Sequence, residues 1–391
     1  MTDKIVIEDV YKIFGPKPEV ARELIDKGYD KDRIFAETGN TVGVQQASFS
    51  IKEGEVFVVM GLSGSGKSTM VRMLNRLIDP TWGSIKVLGR DITAMSHREL
   101  IELRRSKMSM VFQSFALMPH QTVLENAAFG LEVGGRDRGE RESRALRALE
   151  QVGLEQNAHS YPDELSGGMK QRVGLARALA VDPEIMLMDE AFSALDPLIR
   201  TQMQDELLEL QKKDRRTIVF ISHDLDEAMR IGDRIAIMEQ GRVVQIGAPD
   251  EIVTNPADEY VRSFFHGVDV TKVFTGADLA RNDAASLVRD PNADPGSIRD
   301  LIRKEGFSCG VVVNGDDRFQ GLVTPASLEG AVDLHAAFVQ GIEPAPADET
   351  LNEVLHRVAH LDVPVPVVDG EGRYIGSVSP QALLQTLDRT R

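Results

Sequence analysis

Apolar and polar positions alternate along Lys4–Phe14, the two-residue period of a strand with one buried face. Gly43–Ile51 repeats that pattern, and Gly83–Gly89 reads as a short strand closed by a turn. Three stretches break the alternation by being apolar throughout: Val56–Met60, Ile185–Met188 and Ile218–Ile221. Such runs belong to strands buried on both faces, the habit of a parallel sheet with helices on either side. Ser109–Phe112 is a further strand, ending at Gln113. Helical patterns fill the intervals, over 70–78, over most of 115–163, from 165 through Ala180, and over 197–213. The stretch 18–36 also reads as helical, with Val20, Ala21, Leu24 and Ile25 on one face. Asp233–Met238 and Arg242–Ile246, separated by Gln240-Gly241, predict a hairpin. The alternation of strand and helix predicts an α/β domain around a mostly parallel sheet.

Beyond about Asp269 the pattern changes. Gly315–Pro325 aligns without gaps on Gly370–Pro380, an internal repeat. Each copy reads as strand, turn, strand, followed by a helical run. This part holds 19 acidic and 11 basic residues, a net of −8 out of −16 for the 391-residue chain. An acidic chain argues against a nucleic-acid binder held by a basic surface. One cysteine, Cys309, excludes an intrachain disulfide and fits a reducing compartment. The first eight residues do not read as a signal peptide, and no apolar run approaches the length of a bilayer span.

The chemistry begins where Val56–Met60 runs into Gly61-Leu-Ser-Gly-Ser-Gly-Lys-Ser-Thr69. Gly61, Gly66, Lys67 and Ser68 match the G-x-x-x-x-G-K-[ST] phosphate loop, with strand before and helix after, as the motif requires. Ser63, Gly64 and Thr69 complete it. Glycines let backbone N–H groups turn towards a phosphate, Lys67 reaches the β- and γ-phosphates, and Ser68 can ligate Mg²⁺. Asp189 ends an apolar strand, where a Mg²⁺ partner for that loop is needed, and Glu190 is placed to polarise water as general base.

With Leu165-Ser-Gly-Gly-Met-Lys-Gln171 ahead of that strand, the chain resembles the ATPase cassettes of ABC transporters. The resemblance implies a phosphate-loop cassette with a parallel core sheet, an antiparallel β subdomain and a helical subdomain at about 115–180. It implies that Ser166, Gly167 and Gly168 contact ATP bound to a second copy of the chain. Gln113 matches the residue that senses Mg²⁺ and the attacking water and links to the membrane subunit. Asp196, in Ser193-Ala-Leu-Asp, matches the loop that crosses between cassettes, and His223 the switch histidine on the γ-phosphate. Phe14 stands at the adenine-stacking position, with Tyr11 its rival.

Gln113–His120, Met188–Arg200 and an insertion at roughly 16–42 further resemble the ATPase subunits of glycine betaine/proline importers, over residues 1–268. The repeat at 275–391 resembles a tandem pair of CBS motifs, a small α+β regulatory domain. It lacks the Asp that nucleotide-binding members place three residues after Thr324 or Ser379, where Ser327 and Ala382 stand. The resemblance implies a homodimer, a membrane permease, an external solute-binding protein and a peripheral seat on the cytoplasmic face of the membrane. Choline or carnitine uptake is the alternative. Non-transport cassette ATPases usually carry two cassettes or a long coiled coil, and this chain has one cassette and no sustained heptads. Arg299, Arg303 and Lys304, at helical spacing, are candidates for a basic face through which the acidic domain feels ionic strength.

Overall fold

A computed structural model describes residues 2–112, 116–193, 195–265, 274–281, 285–358, 361, 363–381 and 383–384. The chain divides into two compact units, Met1–Val261 and Arg262–Arg391.

In the first unit the continuous apolar runs form the middle of a six-stranded sheet. Its order is Arg242–Gly247, Arg234–Glu239, Val56–Met60, Thr217–Ser222, Ile185–Asp189, Met108–Val111. All neighbours are parallel except the hairpin of the first two. Val56–Met60, Thr217–Ser222 and Ile185–Asp189 are buried at every residue, as strands covered on both faces must be. Parallel register aligns their carboxyl ends. Met60 lies opposite Ser222, and Asp189 opposite Ile221, so the residues that follow share one rim.

The alternating strands form a second, four-stranded sheet in the order Thr41–Lys52, Asp3–Phe14, Trp82–Val87, Arg90–Asp91. Its inner face, including Ile5, Ile7, Val44 and Ile51, packs with Phe57, Met70, Leu187 and Val219 in one core. Helices Val123–Val133, Arg138–Gln151 and Gly167–Ala180 make the helical subdomain. Thr122, Asp137 and Ser166 each cap one of them by accepting a backbone N–H.

The stretch 18–36 is two helices, not one. Pro18–Asp26 stops before Gly28, which takes a left-handed φ of 80°, and Asp30 caps a new helix, Lys31–Thr38. Local turn and cap chemistry overrides the continuous apolar face.

The second unit holds two three-stranded sheets of the same design. Ser286–Val288 and Gly310–Val313 are parallel, joined by helix Pro295–Glu305, and Phe319–Val323 returns antiparallel. Ala345–Pro346, helix Leu351–Val358, Val365–Val368 and Tyr374–Val378 repeat it. The copies join at their hairpins: Phe319 N–H donates to Gly372 O at 3.1 Å and Tyr374 N–H to Asp317 O at 2.8 Å. The helix expected after the first hairpin is a series of turns instead. Thr324 and Ser327 close on each other, and Gly330 and Gly341 take left-handed φ, so no helix propagates; the long helix lies before the hairpin. Among the described residues no helix is long and apolar enough to cross a membrane.

Candidate nucleotide site

The rim at the strand ends carries the chemistry. Gly61 and Gly66 have φ of 151° and 108°, and a Cβ on either would fall 2.3 Å from a backbone oxygen, of Met238 and Gly43 respectively. Side chains are therefore excluded at both ends of the turn. Helix Lys67–Leu74 starts from Gly66 with no side-chain cap, which leaves its first N–H groups and positive dipole end for an anion. Lys67 is buried, and its Nζ donates to Gly61 O at 2.7 Å and Leu62 O at 3.0 Å. Burial lowers its pKa, against the pull of Glu190 and Asp189. Ser63 and Gly64 lie exposed on the loop, and Thr69 is half-buried in the helix.

Ser68 Oγ donates to Asp189 Oδ1 at 3.1 Å, and Arg72 stands 3.5 Å from Asp189 Oδ2. A hydroxyl and a carboxylate are the hard oxygen donors that Mg²⁺ takes. Their spacing is close to the roughly 3 Å between adjacent ligands of an octahedral ion with bonds of about 2.1 Å. These residues fit the ion. One residue on, Glu190 has a left-handed φ of 46° and reaches across the rim, its Oε2 3.4 Å from His223 Nδ1. Sequence reasoning chose all five of these polar groups (Lys67, Ser68, Asp189, Glu190, His223), and the sheet brings them together. Gln113 lies outside the described residues.

The remaining candidates fall into separate places. Ser166 caps the helix Gly167–Ala180, its Oγ accepting from Met169 N at 3.3 Å, so Gly167 and Gly168 sit in the first turn with unclaimed N–H groups. Asp196 caps Pro197–Asp214 through Ile199 N at 3.1 Å. Phe14 is 41% exposed. A Cβ on Gly43 would meet both Phe14 Cε2, at 2.9 Å, and Thr69 Cγ2, at 3.2 Å, so the ring flanks the phosphate-loop helix. Tyr11 is buried edge-on against Trp82.

Comparison with known proteins identifies the family. The ABC transporter family model matches residues 44–193, and the CBS domain model matches 341–389. A glycine betaine/proline betaine transport system ATP-binding protein of Salmonella typhimurium is 56% identical over 398 residues, covering 100% of this chain and 98% of the relative. The chain belongs to the ABC transporter ATP-binding subunits. A trimethylamine N-oxide transport system ATP-binding protein of Pelagibacter ubique is 51% identical over 342 residues, 86% of this chain and 98% of the relative. A dimeric ATP-binding cassette solved with ADP and Pi superposes with a TM-score of 0.53 at 32% identity, covering 63% of this chain and 98% of that one.

This ABC ATPase also holds residues that pattern reading missed. Arg200 donates to Leu195 O at 3.2 Å and pairs with Asp224 at 2.9 Å, which ties the loop before Asp196 to the residue after His223. Beneath it Glu227 is buried, accepting from Ser222 Oγ and from Gln204 Nε2. Burial raises its pKa. Arg200 follows Asp196 by one helical turn, the single sequence signal; the buried carboxylate left none.

Proposed function

We propose that this ATPase drives uptake of a quaternary-ammonium osmolyte of the glycine betaine and proline betaine type. It would do so as a peripheral subunit on the cytoplasmic face of the membrane. The observation that carries the solute class is the similarity to the Salmonella protein, which runs the full length and includes the C-terminal unit. A permease and an external solute-binding protein complete the system as separate chains. Residues 1–268 are the cassette and 275–391 a regulatory CBS pair.

Two copies close face to face on ATP. Phe14 stacks on adenine, the loop Gly61–Thr69 with its Ser63, Gly64 and Thr69 cradles the phosphates, and Lys67 binds the β- and γ-groups. Ser166, Gly167 and Gly168 of each copy face the γ-phosphate held by the other, with Asp196 crossing between them. When bound, Mg²⁺ would be held by Ser68 and Asp189, with Gln113 a further ligand, and would offset charge on the β- and γ-phosphates. Glu190 takes a proton from water as its oxygen bonds to the γ-phosphorus and the bond to ADP breaks. His223 holds the γ-phosphate and, through its contact with Glu190, the position of the base.

The test is ATPase activity of the complex reconstituted with its permease and binding protein, across glycine betaine, proline betaine, proline, choline, carnitine and trimethylamine N-oxide. Strongest stimulation by the two betaines is expected. Stimulation by choline, carnitine or the N-oxide alone would reassign the solute, and no stimulation by any would remove the transport reading.

A further inference from the structure

The insertion between Phe14 and Thr41 is held as a rigid bracket. At its neck the buried Asn40 side chain accepts from Lys17 N at 3.2 Å and donates to Lys17 O at 3.1 Å. A Cβ on Gly15, whose φ is 133°, would fall 2.1 Å from Asn40 Oδ1. Ala21, Ile25 and Ile34 pack with Ile13 and Val42, and the Arg22 guanidinium lies 4.7 and 5.0 Å from the Tyr11 and Trp82 ring centroids.

That bracket presents Lys31 to the phosphate loop. Lys31 follows the cap Asp30, and its Nζ donates to Gly64 O at 3.1 Å. Its Cε packs on the hairpin turn, 3.3 Å from where a Cβ of Gly241 would stand. Gly241 N–H in turn donates to Ser65 O at 2.8 Å, so turn, loop and lysine form one layer. Among the described residues no carboxylate lies within ion-pair distance of Lys31. Its ammonium, like that of Lys67, is bonded to a carbonyl of the loop, but at the loop's exposed edge rather than inside it. Burial lowers the pKa of both, in Lys31 against the pull of the neighbouring Asp32. A cation held on a carbonyl, with no carboxylate in contact, is stabilised further when an anion settles nearby. The loop beside it is built for polyphosphate.

We propose that Lys31 is a nucleotide-positioning residue. It holds the Gly64 carbonyl from outside the loop, fixes the Gly64–Ser65 peptide plane, and adds a second positive charge to the one Lys67 supplies from within. The proposal rests on the phosphate-loop reading of Gly61–Thr69, which a control tests separately.

The experiment is titration of the full-length chain with ATP at two ionic strengths, with steady-state kinetics beside it. Lys31→Met keeps a straight apolar stem but removes the charge. It should weaken ATP binding about tenfold, the worth of one charged hydrogen bond. The loss should narrow with added salt and fall on KM more than on kcat. Lys31→Arg should bind like wild type, and the melting temperature without nucleotide should be unaltered in both. Wild-type affinity in Lys31→Met, equal losses in the two variants, or a loss accompanied by a lower nucleotide-free melting temperature would overturn the proposal. Lys67→Ala is the control. If it too binds ATP normally, the phosphate-loop reading fails; if it alone loses ATP, only the role of Lys31 does.

Discussion

Glu190 occupies a backbone conformation that L-residues avoid, at a cost of about 1–2 kcal/mol. Ser193 N–H donates to its carbonyl at 3.2 Å, closing the turn that holds it there. The return on that strain is geometric: the carboxylate swings to the His223 side of the rim instead of following Asp189. Glu190→Gln keeps the shape and removes the carboxylate proposed as the base. Hydrolysis should fall about 10²–10⁴-fold, the usual share of general-base catalysis, while ATP binding and dimer formation persist. Wild-type turnover would take the role from Glu190.

Glu227 makes a second prediction at this scale, through its raised pKa. The folded chain holds a proton there that the unfolded chain has released. The associated stability is complete below the ordinary value of 4.5 and is lost as pH rises through the raised one. Gln at this position accepts from Gln204 and never ionises. Glu227→Gln should therefore melt higher than wild type at neutral pH, with the gap closing towards pH 4.5. A melting temperature difference that does not change with pH would mean that Glu227 is ionised in the fold at no cost.

At the scale of elements, two helix N-termini matter, and they belong to different parts of the cassette. Lys67–Leu74 opens at the phosphate loop, and Gly167–Ala180 opens at the Ser166 cap. If the second serves ATP held by a partner copy, Ser166→Arg should leave ATP binding by the monomer intact and block closure of the dimer. Mixing it with Lys67→Ala gives dimers in which one site carries both lesions and the other carries none. Recovery of activity above either parent is expected, measured as ATPase rate against mixing ratio. Failure at every ratio would count against two independently working composite sites. Helix Pro197–Asp214 touches the second of these N-termini, with Ile199 against Gly168; Asp196 caps it, and Arg200 links it to Asp224.

At the scale of the whole molecule, a cassette unit precedes an acidic pair of β-α-β-β copies. No group of three or more His, Cys, Asp or Glu side chains that could hold a metal ion forms among the described residues. Cys309 of the second unit is buried, with the thiol pushed up to about 11, which leaves it inert at neutral pH. Helix Pro295–Glu305 ends in Arg303 and Lys304, while Arg299 is drawn to Asp300 at 3.4 Å. That leaves Arg303 and Lys304 as the effective part of the basic face. Attraction of such a face to anionic lipid is screened as salt rises, over a Debye length of about 8 Å at 0.15 M. Removing 275–391 should leave ATPase and transport in place but flatten their dependence on internal salt in anionic-lipid proteoliposomes. An unchanged salt threshold would assign this unit another role.

What the sequence by itself determined was most of the elements and the choice of candidate reactive groups. Apolar runs marked the three buried strands, and fixed spacings marked Gly61–Thr69, Leu165–Gln171, Asp189, Glu190 and His223, because local backbone geometry and phosphate chemistry each demand particular residues at short range. The repeat was legible too, and so was the helical run after its second copy, where Pro380, Gln381, Leu383 and Leu384 are helical; after Pro325 turn bonding prevented the helix expected there. Only the tertiary structure decided what is held by pairing across long separations. It set Asp189 against Ser68, 121 residues apart, turned Glu190 towards His223, left Phe14 exposed while burying Tyr11, and brought Lys31 to Gly64. The reason is that a sequence pattern records which face of an element is buried. The partner found there depends on strand order and register, which many residues fix jointly and no single stretch encodes.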